Sequence, residues 1–307
     1  MFSRILVPLD GSGLAEAILP VSRALAERLS GTLVLVHVLE RDAAETVHGE
    51  RHLTEAADAQ DYLESKRDGC RGLGIKAEAH VDVHKGRDVA GAIDELAWAH
   101  EAGVIAMSAH GRRTLRDRLI GPIAQRALRE GSTPVLLRTA GASADAPFVL
   151  RQILVPIDFR HTLTQALEAV GELARAFDAA VTLLYAAEPA NPLQARLLPG
   201  SSRMLRGLER RRAARRLQAL AVRLRRSGLR VDAVTKKGPA ERAILDQFRL
   251  RGADLIVLVT HGRVGLTAWY ENSIMQRMIE EPVTLLLLRD AADTATSDGD
   301  DPERRSR

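Results

Sequence analysis

Residues 5–10 read ILVPLD and residues 153–158 read ILVPID, five identities in six at a separation of 148. Working outward, His110-Gly111-Arg112 returns as His261-Gly262-Arg263, 151 further on, and Pro134-Val135 returns as Pro282-Val283, 148 further on. Three landmarks in one order at nearly one offset mark an internal duplication. Each copy spans about 140 residues, a whole domain rather than a solenoid unit. The expected units are 1–141 and 148–290, joined through the small, turn-forming stretch TAGASADAP at 139–147. Residues 291–307 lack apolar periodicity and read as a disordered tail.

Within each copy, strand-like and helix-like segments alternate. The first copy predicts strands at 4–9, 32–39, 76–83, 104–108 and 134–138. Its first helix rests on Leu14, Ile18, Val21, Leu25 and Leu29, with further helices at 53–71, 87–101 and 119–130. The second copy predicts strands near 151–157, 180–186, 230–235, 254–259 and 283–289, with helices between and a capping-box signal at Thr162 and Gln165. Segments such as LVLVHVL and LIVLV are apolar on both faces, as in a parallel sheet covered by helices on both sides. The expected fold is therefore α/β: two tandem doubly wound domains, each with a five-stranded parallel sheet.

Composition fits that reading. The chain has 307 residues, 46% hydrophobic and 27% charged, enough apolar material for two cores. Aromatics are only 3%, which argues against stacking-based binders of single-stranded nucleic acid and leaves packing to aliphatic side chains. The net charge of +4 favours anionic ligands without singling out nucleic acid. A single cysteine, Cys70, excludes an internal disulfide and a cysteine-based metal cluster. No secretory pattern opens the sequence and no apolar run suits a membrane span, so the expectation is a cytoplasmic protein.

Doubly wound sheets bind ligands beyond the carboxyl ends of their strands, where the strand order reverses. Two features of each copy fall there. One is the carboxylate after strand one, Asp10 or Asp158. The other is the loop after strand four, MSAHGRRTLRDRLIGPIAQR in the first copy and LVTHGRVGLTAWYENSIMQR in the second. Glycines in such a loop let backbone N–H groups approach a phosphate, and the next helix offers its N-terminus. Gly111 and Gly121 alone read equally as turn and helix-start residues.

With ILVPLDGS, ILVPIDF, the HGR loops and the closing PVLLLR and PVTLLLLR strands, the chain resembles the universal stress protein family in its tandem form, across residues 1–290. That resemblance implies an adenine nucleotide alpha hydrolase-like fold, a stress-response role and, in some members, an ATP or AMP site, with Mg²⁺ only alongside nucleotide. ATP-binding members carry G-x-x-G, nine residues, then G-(S/T). The first copy has Ser108-Ala109-His110-Gly111, nine residues, Gly121-Pro122; the second has Val259-Thr260-His261-Gly262, nine residues, Asn272-Ser273. By the same carry-over, Pro8, Asp10, Val38 and Met107 would line the nucleoside end of the first site. Asp158, Gly262 and Ser273 would remain from the second.

The departures have consequences. Pro122 lacks both an N–H and a hydroxyl, and a lost charge-assisted hydrogen bond costs about 1.5–3 kcal/mol. Val259 and Asn272 add bulk at glycine positions. The expectation is weakened nucleotide binding in the first copy and little or none in the second. Arg112, Arg113, Arg116 and Arg118 could offset lost donors, or could simply be a solvated loop.

Other chemistries are thin. Glu16 occupies the third glycine position of a G-x-G-x-x-G match at Gly11, and neither a P-loop nor a G-x-S-x-G elbow occurs. The pairs His48/His52 and His80/His84 have no third ligand nearby in sequence, so no metal site is expected. His110 and His261 are expected to shape their loops. Residues 203–230 contain eleven arginines around Leu205, Leu208, Leu217, Leu220 and Leu224, which predicts a helix with one docked face and a solvated basic surface. Nucleic-acid binding is disfavoured because no aromatics interleave. The apolar closing strands would be exposed edges in isolated domains. In the resembled family they pair across a two-fold axis, which implies an internal pseudo-dimer, and a homodimer of chains stays open. Three functional readings remain: a regulatory protein with a degenerate ATP or AMP site, a nucleotide-free scaffold for protein partners, and a slow Mg²⁺-dependent ATP hydrolase using Asp10. No general base is evident for the last.

Overall fold

The structure, a computed structural model, describes residues 1–40, 46–47, 50–51, 53–83, 88–109, 121–139, 147–159, 163–187, 199–260 and 283–289. The duplicated ILVP segments form β1 (Arg4–Pro8) and β8 (Gln152–Pro156). Ile5, Leu6 and Val7 are all fully buried, because both faces of β1 are covered. The first copy continues with α1 (Gly13–Glu16), α2 (Leu19–Leu29), β2 (Thr32–Val38), a two-strand ribbon β3 (Thr46–Val47) and β4 (Glu50–Arg51), α3 (Ala56–Gly72), β5 (Lys76–Asp82), α4 (Val89–Ala99), β6 (Val104–Ser108), α5 (Pro122–Glu130) and β7 (Val135–Arg138). After β8, the second has α6 (Thr164–Phe177), β9 (Ala180–Ala187), α7 (Pro199–Arg226), β10 (Val231–Lys237), α8 (Ala240–Arg251), β11 (Leu255–Thr260) and β12 (Thr284–Arg289).

Apart from that ribbon, the described strands form one sheet in the order β10-β9-β8-β11-β12-β7-β6-β1-β2-β5. Each half is parallel throughout and repeats the same order. The halves meet at a single antiparallel seam, β7 with β12, where Leu136 faces Leu286 and Leu137 faces Leu285. Thr139 extends the seam: its N–H and hydroxyl donate to Val283 O at 3.0 and 3.1 Å, and Val283 N–H donates to Thr139 Oγ1 at 2.8 Å. The expected internal pseudo-dimer is thus a continuous ten-stranded sheet, and the apolar closing strands are its centre.

Helices cover both faces. One apolar layer gathers residues of α2, α3, α6 and α7, and the other gathers those of α4, α5 and α8. Across the seam, Arg28 of α2 lies over the Phe177 ring of α6, 5.9 Å from its centroid. The core is aliphatic, with Phe2 the one fully buried aromatic among the described residues.

Three details differ from the sequence expectation. The first helix breaks into α1 and α2, because Pro20 has no N–H to donate and its ring would clash with the carbonyl of Glu16. The arginine-rich helix packs through Ala213, Leu217, Ala221 and Leu224, while Leu208 is exposed. Its docked stripe therefore starts later than the leucine spacing implied. Finally, α6 begins at Thr164 with Leu163 at its N-cap and no side-chain cap; Thr162 lies outside the described residues. So do the expected fourth helix of the second copy and the tail at 291–307.

The duplication also shows where the copies tolerate different side chains. Ser30 and Asp178, 148 apart, both end their helices in the left-handed region, at φ 55° and 50°. The next residue is Gly31 in one copy and buried Ala179 in the other. A Cβ at position 31 would lie 2.4 Å from Phe2 O, a backbone atom held in place because Thr32 N–H donates to Ser3 O at 2.9 Å. Gly31→Ala is expected to cost about 2–3 kcal/mol in urea unfolding, as overpacking against fixed backbone does. A change below about 0.5 kcal/mol, typical of a tolerant site, would contradict that.

Candidate functional site

The strand order reverses between β1 and β6 in the first half and between β8 and β11 in the second. At the first crevice, side-chain alternation puts Pro8, Val38 and Met107 on one face of three adjacent strands. Val38 and Met107 both join the apolar layer under α4 and α5, and Met107 is 5% exposed. The structure therefore brings these three residues together at the carboxyl ends of β1, β2 and β6.

Asp10 follows β1 in a tight turn. Its Oδ1 accepts from Ser12 N–H at 2.9 Å and Ser12 Oγ at 2.6 Å, while Ser12 Oγ caps α1 by accepting from Ala15 N–H at 3.2 Å. Gly11 between them has φ +88°, and a Cβ there would meet Leu53 Cδ1 at 2.9 Å. Glycine is required for that turn, whatever the sequence offers as a dinucleotide match. The turn is braced by His37, which is buried with Nδ1 2.7 Å from Leu9 O and Nε2 2.9 Å from Leu53 O. Sequence reasoning did not single out His37, although a histidine inside the apolar run TLVLVHV is the signal that could have.

On the other side of the crevice, β6 ends at Ser108, and Gly121 opens α5. Gly121 N–H donates to Ala109 O at 2.8 Å, so the two ends of the intervening loop are tied together. That bond uses the Gly121 N–H within the chain. Pro122 occupies the first turn of α5, and Gly121 supplies no side-chain cap. Ser108 Oγ is buried and has no hydrogen-bond partner among the described residues. The same holds for Nε of Arg138, its register neighbour on β7, whose guanidinium stacks over Phe148 at 5.7 Å. Burial pushes Arg138 below the usual guanidinium pKa. His110, Gly111 and the four loop arginines lie outside the described residues.

The second crevice is built differently. Asp158 follows β8 as Asp10 follows β1, and Ile157 N–H donates to Leu184 O at 2.7 Å, matching the bond from Leu9 N–H to Val36 O at 2.9 Å. At the place of Gly11 stands Phe159, and at the place of His37 stands Tyr185. Their rings lie 5.8 Å apart, and Arg216 from α7 sits 4.3 Å over Phe159. Val259, at the place of Ser108, packs into the apolar layer. An aromatic and cationic stack beside Asp158 thus replaces the small turn of the first copy. Gly262 and Ser273 lie outside the described residues.

No helix among the described residues is long and apolar enough to cross a membrane. No curated protein matches the chain. The solved structure of a universal stress protein from Archaeoglobus fulgidus superposes with a TM-score of 0.68 at 16% identity, covering 94% of this chain and 97% of that one. A functionally unknown protein from Pseudomonas aeruginosa superposes at 0.67 with 17% identity, covering 96% and 95%. The profile of the universal stress protein family matches residues 1–137 and again residues 150–286. Those two matches fall on the two halves of the sheet, and the chain belongs to the universal stress protein family.

Proposed function

We propose that this is a stress-response binding or regulatory protein whose first unit takes an adenine nucleotide, ATP or AMP, with reduced affinity, and whose second unit takes little or none. Membership in the universal stress protein family supports the stress-response role. The observation that carries the nucleotide reading is the convergence of Pro8, Val38, Met107 and Asp10 at the β1/β6 reversal, opposite a loop whose ends are joined from Ala109 to Gly121. Reduced affinity follows from Pro122 and from the internal use of the Gly121 N–H, which remove donors a phosphate would otherwise meet. In the second unit, Phe159 puts a bulky ring beside Asp158 where the first unit has Gly11, which leaves less room for a ligand there. Mg²⁺ would enter only with the nucleotide, and the working compartment proposed is the cytoplasm.

A second reading is a nucleotide-free scaffold for protein partners. Paired variants discriminate. Gly111→Val should weaken ATP binding by about tenfold or more, the equivalent of one charge-assisted bond. Gly262→Val should leave it unchanged. Equal loss in both variants, or none in either, would contradict the assignment to the first unit. ATP turnover above background that is lost in Asp10→Asn would instead favour the hydrolase reading.

A further inference from the structure

On the outer edge strand of the first unit, Glu78 and His80 in the middle of β5 meet His100, which caps the C-terminus of α4. One donor atom from each lies within 4.8 Å of the others. His80 Nε2 stands 3.5 Å from Glu78 Oε2, and the His80 and His100 rings are 4.3 Å apart and tilted by 42°. We propose that Glu78, His80 and His100 form a binding site for a divalent transition metal of the zinc class, with a fourth position left for water.

Ligand chemistry favours this choice. Two imidazoles and one carboxylate suit zinc-class ions far better than Mg²⁺ or Ca²⁺, which prefer all-oxygen sets. Zinc bonds of about 2.0–2.2 Å in a tetrahedron put neighbouring donors about 3.3–3.6 Å apart, and His80 Nε2 and Glu78 Oε2 are already 3.5 Å apart. His80 Nε2 is buried and faces the Glu78 carboxylate at 3.5 Å, an ion pair only while the imidazole carries its proton. A cation placed there satisfies both. His100 contributes from a helix C-terminus, where the backbone dipole favours positive charge.

Arg4 is the positioning residue. Its guanidinium forks onto Glu78, with Nη1 donating to Oε1 at 3.2 Å and Nη2 to Oε2 at 2.7 Å, and its Nε donates to His100 O at 2.6 Å. One side chain therefore fixes the spacing between β5 and the end of α4. The same guanidinium holds the Glu78 carboxyl below the ordinary carboxylate range. A metal would share Glu78 with Arg4, taking Oε2 while Arg4 keeps Oε1. That shared charge limits affinity and points to a reversible site rather than a permanent structural one. His80 and His100 are 20 residues apart in sequence, so adjacency in the chain could not reveal the pair.

The test uses the full chain, stripped with EDTA and free of nucleotide, titrated with Zn²⁺ against a competing indicator and with Co²⁺ by visible absorption. The expected result is one equivalent of Zn²⁺ at this site and Co²⁺ bands of a four-coordinate centre. His80→Ala, His100→Ala and the shape-conserving Glu78→Gln should each weaken binding by at least about tenfold, since even outer-shell partners of metal ligands are worth that much. Unfolding curves in EDTA that overlay the parent's would show that each variant is folded. The proposal is overturned by absence of binding in the parent, or by unchanged affinity in folded His80→Ala, His100→Ala double-variant protein.

Discussion

Leu286→Asp is expected to destabilise the whole molecule. Leu286 is fully buried at the middle of β12 and faces Leu136 of β7, itself 1% exposed, across the antiparallel pairing that joins the two halves of the sheet. Removing a buried leucine side chain costs about 2–5 kcal/mol through lost transfer energy and the cavity left behind. The substituted carboxyl must then either stay charged without a partner or take up a proton, and either adds a further penalty of order a few kcal/mol. The sum is comparable to the total stability of a typical domain, about 5–15 kcal/mol. Because β7 and β12 belong to different halves, the damage reaches both. Urea unfolding followed by circular dichroism should show a large fall in midpoint, or a chain already unfolded without denaturant. A shift confined to about 1 kcal/mol, as for an exposed position, would mean that the seam contributes little.

Phe2→Ala is the second large effect. Phe2 is fully buried ahead of β1, although the strand itself starts at Arg4. Aromatics are scarce in this chain, and Phe2 is the largest ring fully enclosed among the described residues. Truncation of a buried phenylalanine costs about 3–5 kcal/mol. The second copy offers the comparison: 148 residues on, the position is Leu150, 2% exposed in the same apolar layer. Phe2→Leu should therefore lose less than about 1.5 kcal/mol, as volume-tolerant hydrophobic exchanges do. The difference between the two variants measures how firmly the N-terminal segment is built into the core. Equal losses in both would contradict the packing described.

How much of this was legible in the chain depends on whether the signal is local. Strands such as TLVLVHV and LIVLV declare themselves because burial on both faces demands continuous apolar runs, and their bounds were read to within a residue or two. The ILVP duplication marks two like halves, and the resemblance together with closing strands too apolar to remain edges implies an internal pseudo-dimer; that the halves share one continuous sheet is seen only in the structure. Position-specific effects were less visible. Helical spacing runs straight through Pro20, and it does not say where a helix first touches the sheet, so Leu208 is exposed although its spacing matches the docked leucines.

The site divides in the same way. Pro8, Asp10, Val38, Met107 and Ser108 sit at strand ends around the first crevice because the doubly wound order puts them there. Three arrangements depend on contacts between segments far apart in sequence: His37 between two carbonyls, Arg216 over Phe159, and the Arg4–Glu78–His100 cluster. No window of the sequence contains them. His110, Gly111, Gly262 and Ser273 lie outside the described residues, so their proposed roles rest on the loop motif.

Calorimetric titration of the full chain with ATP and with AMP, each with and without Mg²⁺, tests the central claim most directly. The account predicts a single class of site near one equivalent per chain, weak enough to need excess ligand and lost in Gly111→Val. Two equivalents per chain, or no heat up to millimolar ligand, would contradict it.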